Sequence, residues 1–346
     1  MRLRPGLRVL RRGPHSVQIG TDPRWAVLVD DLTAAEADAL ATLGAGGDLT
    51  AVGARQGVDE RRAARIVADL DRAGLGGGAR DRRSGQLGAE PQIAELVGLG
   101  DVVSARAAGC VGVMGLGPVG LAIAATLAAA GVGTLLLDDA RPVRSGDIAP
   151  GGYGWGDVGA PRDVVGARRL RDVAPEVALT GGAPDVLVVV DTDVADPEQG
   201  PRLVAAGVVH LSVVEREGDV LVGPLVVPGD GACLRCLDLH RADADPQWSD
   251  VAPQLGTQVG AAAGVAPPTG FAAGSVLAVA AVSAGLAAAA VLAHLDGGRS
   301  PLRGVTYEVV APYALPLRRE WAAHPSWGCA APPTWSGVPV AEAPTV

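Results

Sequence analysis

The sequence predicts an α/β protein: a Rossmann-like mixed sheet with helices on both faces, plus a smaller N-terminal α+β domain. Three observations lead there. A Gly-rich turn, Gly115-Leu116-Gly117-Pro118-Val119-Gly120, stands between an apolar strand run and an Ala-rich helical run. Strand runs and helical runs then alternate as far as Val213, the order that builds a parallel sheet. The stretch before residue 75 instead holds three short apolar runs followed by three capped helical runs.

In that first stretch, Leu7–Arg11, Ser16–Ile19 and Ala26–Val29 are divided by Gly13-Pro14 and Asp22-Pro23, which are turn dipeptides. Thr33-Ala34-Ala35-Glu36 has the spacing of a capping box, in which each side chain can bond the other residue's backbone N–H. A helix is therefore expected to about Leu43. A second is expected from Asp48 to Gln56, with Gly57 as its stop. Asp59 caps a third, whose Ala63, Ile66, Val67 and Leu70 share one face. Strands with a helix-turn-helix make a winged helix, a shape used to bind DNA. From Met1 to Arg80, however, 12 Arg stand against 10 Asp plus Glu. So mild an excess gives little electrostatic support for nucleic acid. The expected organisation is a winged-helix domain over 1–75, a Gly- and Arg-rich linker over 76–90, the sheet domain over 91–320 and a tail over 321–346. The tail is rich in Pro and Ala from Ala330 and is expected to be disordered.

Cys110–Met114 reads as a buried strand, and Cys110 within it as core. The glycines that follow allow a tight turn and close backbone approach, and the helix N-terminus behind them can face a phosphate. Thr134–Leu137 is the next strand, with Asp138 and Asp139 at its tip, where an acid can bond a ribose hydroxyl. Gly115, Gly117, Gly120, Asp138 and Asp139 are thus the candidate nucleotide-binding residues.

Further on, Arg162–Val173 reads as a helix, with Pro161 suited to its first turn. Asp185–Asp191 is a buried-strand run followed by Thr192 and Asp193; Gly200–Gly207 reads as helix and Val208–Val213 as strand. Acids at the carboxyl ends of strands stand where open α/β sheets bind ligands, although such acids also cap the helix that follows. Phe271–Leu295 carries no charged residue and is long enough to span a bilayer. It is mostly Ala and Gly, has no aromatic belt and contains His294. It is therefore expected to be a buried core helix, not a membrane span. Gly270, Gly274 and Ala278 lie four apart, which lets helices approach closely.

Composition excludes whole mechanisms. The chain has no Lys and no Asn; its 29 basic residues are all Arg. A P-loop of the G-x-x-x-x-G-K-[ST] type, a Schiff-base lysine and N-linked glycosylation are ruled out. The net charge of −9 argues against chain-wide binding to nucleic acid or an anionic membrane. Four cysteines are too few for a disulfide framework. No continuous apolar run follows Arg2, Arg4 and Arg8, so no signal peptide is expected, and the expected compartment is the cytoplasm.

Taken in order, these motifs resemble the ThiF/MoeB family, the adenylyltransferases similar to ubiquitin-activating enzymes. The resemblance spans about Ala107 to Val310. Asp157–Arg162 is similar to the family's V-G-x-P-K segment, and Asp191-Thr192-Asp193 to its D-x-T-D. Gly223–Leu237 is similar to its strand leading to a C-x-x-C, here Cys233 and Cys236. Thr269 to Leu295, followed by Pro301–Gly304, looks like its long buried helix and next strand. The resemblance implies ATP and Mg2+, and a C-terminal carboxylate of a peptide or small protein that attacks the α-phosphate to give an acyl-adenylate. It puts Asp138 on the ribose, Asp193 on the magnesium and Arg162 where the family has a phosphate-binding lysine. Arg can fork onto phosphate oxygens. The family's next loop carries S-N-L-x-R-Q, whereas Ser145–Tyr153 has neither Asn nor Arg, and Val194 replaces the Asn after the catalytic Asp.

Cys233 and Cys236 are half a zinc site. The family completes it with a second Cys pair near the C-terminus. Here Cys329 and His324 are what the sequence offers, so a structural Cys3His site is implied. A redox role fits less well, because the motif follows a hairpin-like stretch and not a strand-to-helix turn. Many relatives are symmetric dimers, which implies a homodimer. The first domain resembles the peptide-recognition element of ribosomal-peptide modification proteins, where a leader peptide adds a strand to a sheet. That opens a second reading: a non-catalytic scaffold presenting a precursor peptide to a YcaO-type cyclodehydratase. A nicotinamide-dependent oxidoreductase would share the Gly-rich turn and Asp138, but no acid–base constellation for it is evident. A ligand-sensing transcription regulator would need salt-dependent DNA binding.

Overall fold

The computed structural model describes residues 3, 7–23, 26–43, 48–76, 101–260 and 277–329. The expected linker from 77 onward and the tail from 330 lie outside the described residues. The chain divides into two compact units, 1–103 and 104–346.

In the first unit, apolar alternation forms β1 (Val9–Gly13), β2 (Ser16–Ile19) and β3 (Val27–Val29), an antiparallel sheet in the order β1-β2-β3. Helices α1 (Ala34–Leu43), α2 (Leu49–Arg55) and α3 (Glu60–Arg72) follow. The capping box forms reciprocally. Thr33 N–H donates to Glu36 Oε2 at 2.8 Å, and Glu36 N–H donates to Thr33 Oγ1 at 3.2 Å. Asp48 and Asp59 accept from the first-turn N–H groups of α2 and α3. Ile66 and Leu70 of α3 join Val17, Ile19 and Leu40 in one buried cluster. Each such side chain contributes about 1.5–3 kcal/mol on burial.

Helix α4 (Val102–Ala108) begins at the end of the first unit and runs into the second, which holds a seven-stranded sheet in the order β10-β9-β8-β7-β6-β4-β5. Strands β4 (Cys110–Met114), β5 (Thr134–Asp138), β6 (Val186–Thr192) and β7 (His210–Glu215) pair in parallel. Strands β8 (Asp219–Val226), β9 (Val305–Val310) and β10 (Leu315–Glu320) extend the sheet antiparallel. The crossover helices are α5 (Pro118–Ala129), α6 (Arg162–Val173) and α7 (Gln199–Ala205). Pro161 takes the cap position of α6, just outside the first turn. Helices α8 (Leu234–Ala244) and α9 (Trp248–Gly260) follow β8.

The long apolar stretch forms α10 (Leu277–Leu295), which packs on α5 and β8. Val279, Ala280, Ser283, Ala284, Ala287, Ala288 and Val291 are buried, at the spacing of one helix face. That is the geometry of a core helix, although its length and composition alone would let it cross a membrane. Residues 261–276, with Gly270 and Gly274, lie outside the described residues. Ala278 is exposed.

Candidate functional site

Strand order reverses between β4 and β6: the chain leaves β4 for β5 on one side and returns to β6 on the other. Ligands bind in the crevice at the carboxyl ends of strands at such a switch point. The Gly-rich turn sits there, and its glycines are required by space. Gly115 has φ +85, and a Cβ on it would stand 2.4 Å from Val190 O. A Cβ on Gly120 would stand 1.9 Å from Gly115 O. Gly117 caps α5 and is roomier; its Cβ would meet only Glu215 Oε2, at 3.4 Å. Asp138 ends β5 next to this turn with an exposed side chain.

Asp139 turns inward instead. Its Oδ2 accepts Leu116 N–H from the Gly-rich turn at 2.7 Å. Arg141 forks onto both its oxygens at 2.7 and 2.9 Å. Burial by itself would raise the Asp139 carboxyl, but the Arg141 hydrogen bonds, the Leu116 N–H and the two guanidinium charges hold it at about 2. Arg162 is buried and committed to carboxylates. Its Nη1 donates to Asp139 at 3.1 Å, and its Nε and Nη2 donate to Asp147 Oδ2 at 3.0 and 2.6 Å. The buried Tyr153 hydroxyl donates to Leu116 O at 2.8 Å, tying the 145–157 loop to the turn. Asp157 anchors that loop through Gly154 N–H at 2.8 Å and Arg169 at 2.9 Å. The ties made by Asp147 and Tyr153 have no signature in the sequence, since neither residue belongs to a recognisable motif.

Asp193 follows β6 in a left-handed conformation, φ 68, and its N–H donates to Glu215 O at 2.8 Å. Such a conformation is rare outside glycine and costs free energy that the surroundings must supply. Asp193 rims a cleft between the sheet and α8 that Asp196, Arg216, Asp238, Arg241 and Trp248 also line. The Arg241 guanidinium lies 5.2 Å from the Trp248 ring centre, within cation–π range. Asp191 lies deeper. Burial, with a smaller push from the Asp196 charge, raises its carboxyl to about 6. Its folded pKa therefore exceeds its unfolded value near 4, so the neutral form is favoured in the fold. The resulting stabilisation is present below about pH 4 and lost as pH rises through 6. Asp191→Asn is expected to gain about 2 kcal/mol over the native chain at pH 7.5 and almost nothing at pH 4. Urea unfolding at the two pH values checks this; equal gains at both would contradict it.

The thiols gather as expected, in part. Cys233, Cys236 and Cys329 sulfurs lie within 4.8 Å of one another. Cys236 Sγ stands 3.8 Å from Cys233 Sγ and 3.2 Å from Cys329 Sγ. Tetrahedral zinc with Zn–S of ~2.3 Å spaces its sulfurs as Cys233 and Cys236 stand, while Cys329 lies closer to Cys236 than such a site needs. His324 does not join them. Its Nε2 pairs with Asp243 Oδ2 at 2.9 Å and its Nδ1 accepts Ser326 N–H at 3.1 Å, so the ring groups with His240 and Asp243. The expected Cys3His set therefore reduces here to three sulfurs. Cys233 also caps α8, so the C-x-x-C does open a helix, contrary to the sequence expectation. Burial raises the Cys329 thiol, with its neighbouring sulfurs adding to it, to about 12.

No family model matches the chain, and no curated protein matches it in sequence. Solved structures do. The microcin C7 biosynthetic enzyme MccB in complex with N-formylated MccA superposes with a TM-score of 0.69 at 16% identity, covering 95% of this chain and 99% of that one. The chain shares the fold of MccB. The E. coli MccB structure with ATP matches with a TM-score of 0.66 at 16% identity, covering 95% and 98%. Selenomethionine PaaA matches with a TM-score of 0.66 at 13% identity, covering 91% and 98%. At such identities the likeness to MccB is one of fold, and the seven-stranded mixed sheet is the architecture the motifs predict.

Proposed function

We propose that the chain is a ThiF-like adenylyltransferase-type protein that activates the carboxylate of a peptide or small protein. One juxtaposition carries the reading: the Gly-rich turn, Asp138 and Asp193 all stand at the carboxyl ends of the neighbouring parallel strands β4, β5 and β6. MccB, which has this fold, has been solved with ATP and with N-formylated MccA, and that supports a nucleotide and a peptide as the two substrates here.

In this mechanism Asp138 accepts the ribose hydroxyls, and the N–H groups at the start of α5 face the phosphates. Asp193 would hold Mg2+, which when bound offsets the phosphate charge. A peptide carboxylate oxygen attacks the α-phosphorus, the bond from that phosphorus to the bridging β-phosphate oxygen breaks, and pyrophosphate leaves. The peptide's C-terminal residue would approach over the cleft beside Asp193, whose lining includes Arg241, paired with Asp238, and Arg216, paired with Asp219. Cys233, Cys236 and Cys329 would hold a structural zinc. The first unit, read as a winged helix, would take the leader by adding a strand at an edge of its sheet. We place the protein in the cytoplasm as a homodimer, with no role at a membrane or on nucleic acid.

A second reading is favoured by one observation: Arg162 is already neutralised by Asp139 and Asp147. It makes the chain a scaffold that binds a precursor peptide and presents it to a YcaO-type enzyme. Incubation with MgATP and a precursor peptide is expected to give an acyl-adenylate that hydroxylamine traps as the peptide hydroxamate. Asp193→Asn should lower its yield at least about 100-fold. Tight peptide binding with no trapped product would favour the scaffold.

A further inference from the structure

We infer that Asp139 and Asp147 form a built-in plug over part of the phosphate site: their carboxylates occupy the Leu116 N–H and both guanidinium groups, and a triphosphate reaches those donors only by exchange with them. The inference concerns regulation of the proposed nucleotide site and rests on that reading.

Beside the N–H groups at the start of α5, the donors at the mouth of the Gly-rich turn are the Leu116 N–H and two guanidinium groups. That is the set phosphate oxygens use at a helix N-terminus. Here each already serves a carboxylate. Leu116 N–H serves Asp139 at 2.7 Å, Arg141 forks onto Asp139, and Arg162 bridges Asp139 and Asp147. Asp147 Oδ2 also accepts Arg144 N–H at 2.8 Å. An arriving polyphosphate meets two carboxylates already paired with two guanidinium groups where an open cradle would otherwise be. The loop that differs from the S-N-L-x-R-Q pattern is the one that supplies Asp147, so the departure adds a carboxylate as well as removing an arginine.

The parts differ in how freely they can yield. Asp147 sits on a single 3-10 turn, Ser145–Asp147, and Gly146 in that turn has open space around it. The Arg141 side chain is 55% exposed and can turn to a phosphate while Leu116 and Arg162 keep Asp139. The Tyr153 bond to Leu116 O leaves the Gly-rich turn itself fixed during such an exchange.

The test is calorimetric titration of the full chain with adenosine and with MgATP, for the native protein, Asp147→Asn and Asp139→Asn. Adenosine needs no phosphate donors, so it is expected to bind all three forms alike. MgATP should bind the native chain no more tightly than adenosine, and should bind Asp147→Asn at least about tenfold more tightly than the native chain, since one like charge is removed at close range. Asp139→Asn should shift in the same direction, which guards against one variant misfolding. The plug is overturned if adenosine binds and MgATP affinity is unchanged in both variants. If neither ligand binds any form, the nucleotide reading falls and the plug with it.

Discussion

Arg162→Met is expected to cost about 3–5 kcal/mol of stability, because it strands buried carboxylates without their cation. The Arg162 side chain is 9% exposed, and Asp139 and Asp147 are 1% and 8% exposed. Asp139 keeps Arg141 and Leu116 N–H, so the larger share of the loss falls on Asp147, whose other contact is Arg144 N–H. Arg162→Lys keeps the charge but cannot bridge both acids with three donors in one plane, so it should recover only part of the loss. Urea unfolding followed by circular dichroism reads the difference. A loss below about 1 kcal/mol, the range of an exposed ion pair, would mean that the cluster is not the closed unit described.

The second large effect concerns the Gly-rich turn and has an internal control. Gly120→Ala forces a Cβ to within 1.9 Å of Gly115 O, and Gly115→Ala forces one to within 2.4 Å of Val190 O at a φ of +85. Both contacts are with backbone, which cannot rotate away. Each variant should lose about 3 kcal/mol or more, through overpacking and, at Gly115, a strained dihedral as well. Gly117→Ala meets only the Glu215 carboxylate at 3.4 Å and should stay within about 1 kcal/mol of the native chain. Thermal unfolding of the three variants gives the order directly. Equal effects at Gly117 and Gly120 would contradict the turn geometry.

What the sequence reveals follows from distance along the chain. The Thr33–Glu36 capping box, the Gly115–Gly120 turn and helix α6 are local patterns, and each forms where the residues predict it. The parallel pairing of strands β4 to β7 is legible too, because apolar runs alternate there with helical runs. The partners of Arg162 are not legible. Asp139 and Asp147 lie on a different strand end and a different turn, and among so many Asp and Arg residues no spacing marks which ones meet. His324 fails for a related reason. Its proximity to Cys329 in sequence made it a ligand candidate, yet a turn at Ser326 supplies an N–H to its Nδ1, and Asp243 on α8 claims its other nitrogen. The three sulfurs meet because Cys233 and Cys236 share the first turn of α8 and Cys329 packs on Cys236.

The proposed activity is peptide-dependent nucleotide chemistry at the switch point. ATP–pyrophosphate exchange by the full chain, with and without a precursor peptide that it binds, measures that step alone. The expected result is exchange that requires the peptide, runs through Asp193 and disappears in Asp193→Asn. Absence of exchange with a peptide that binds the native chain would contradict it.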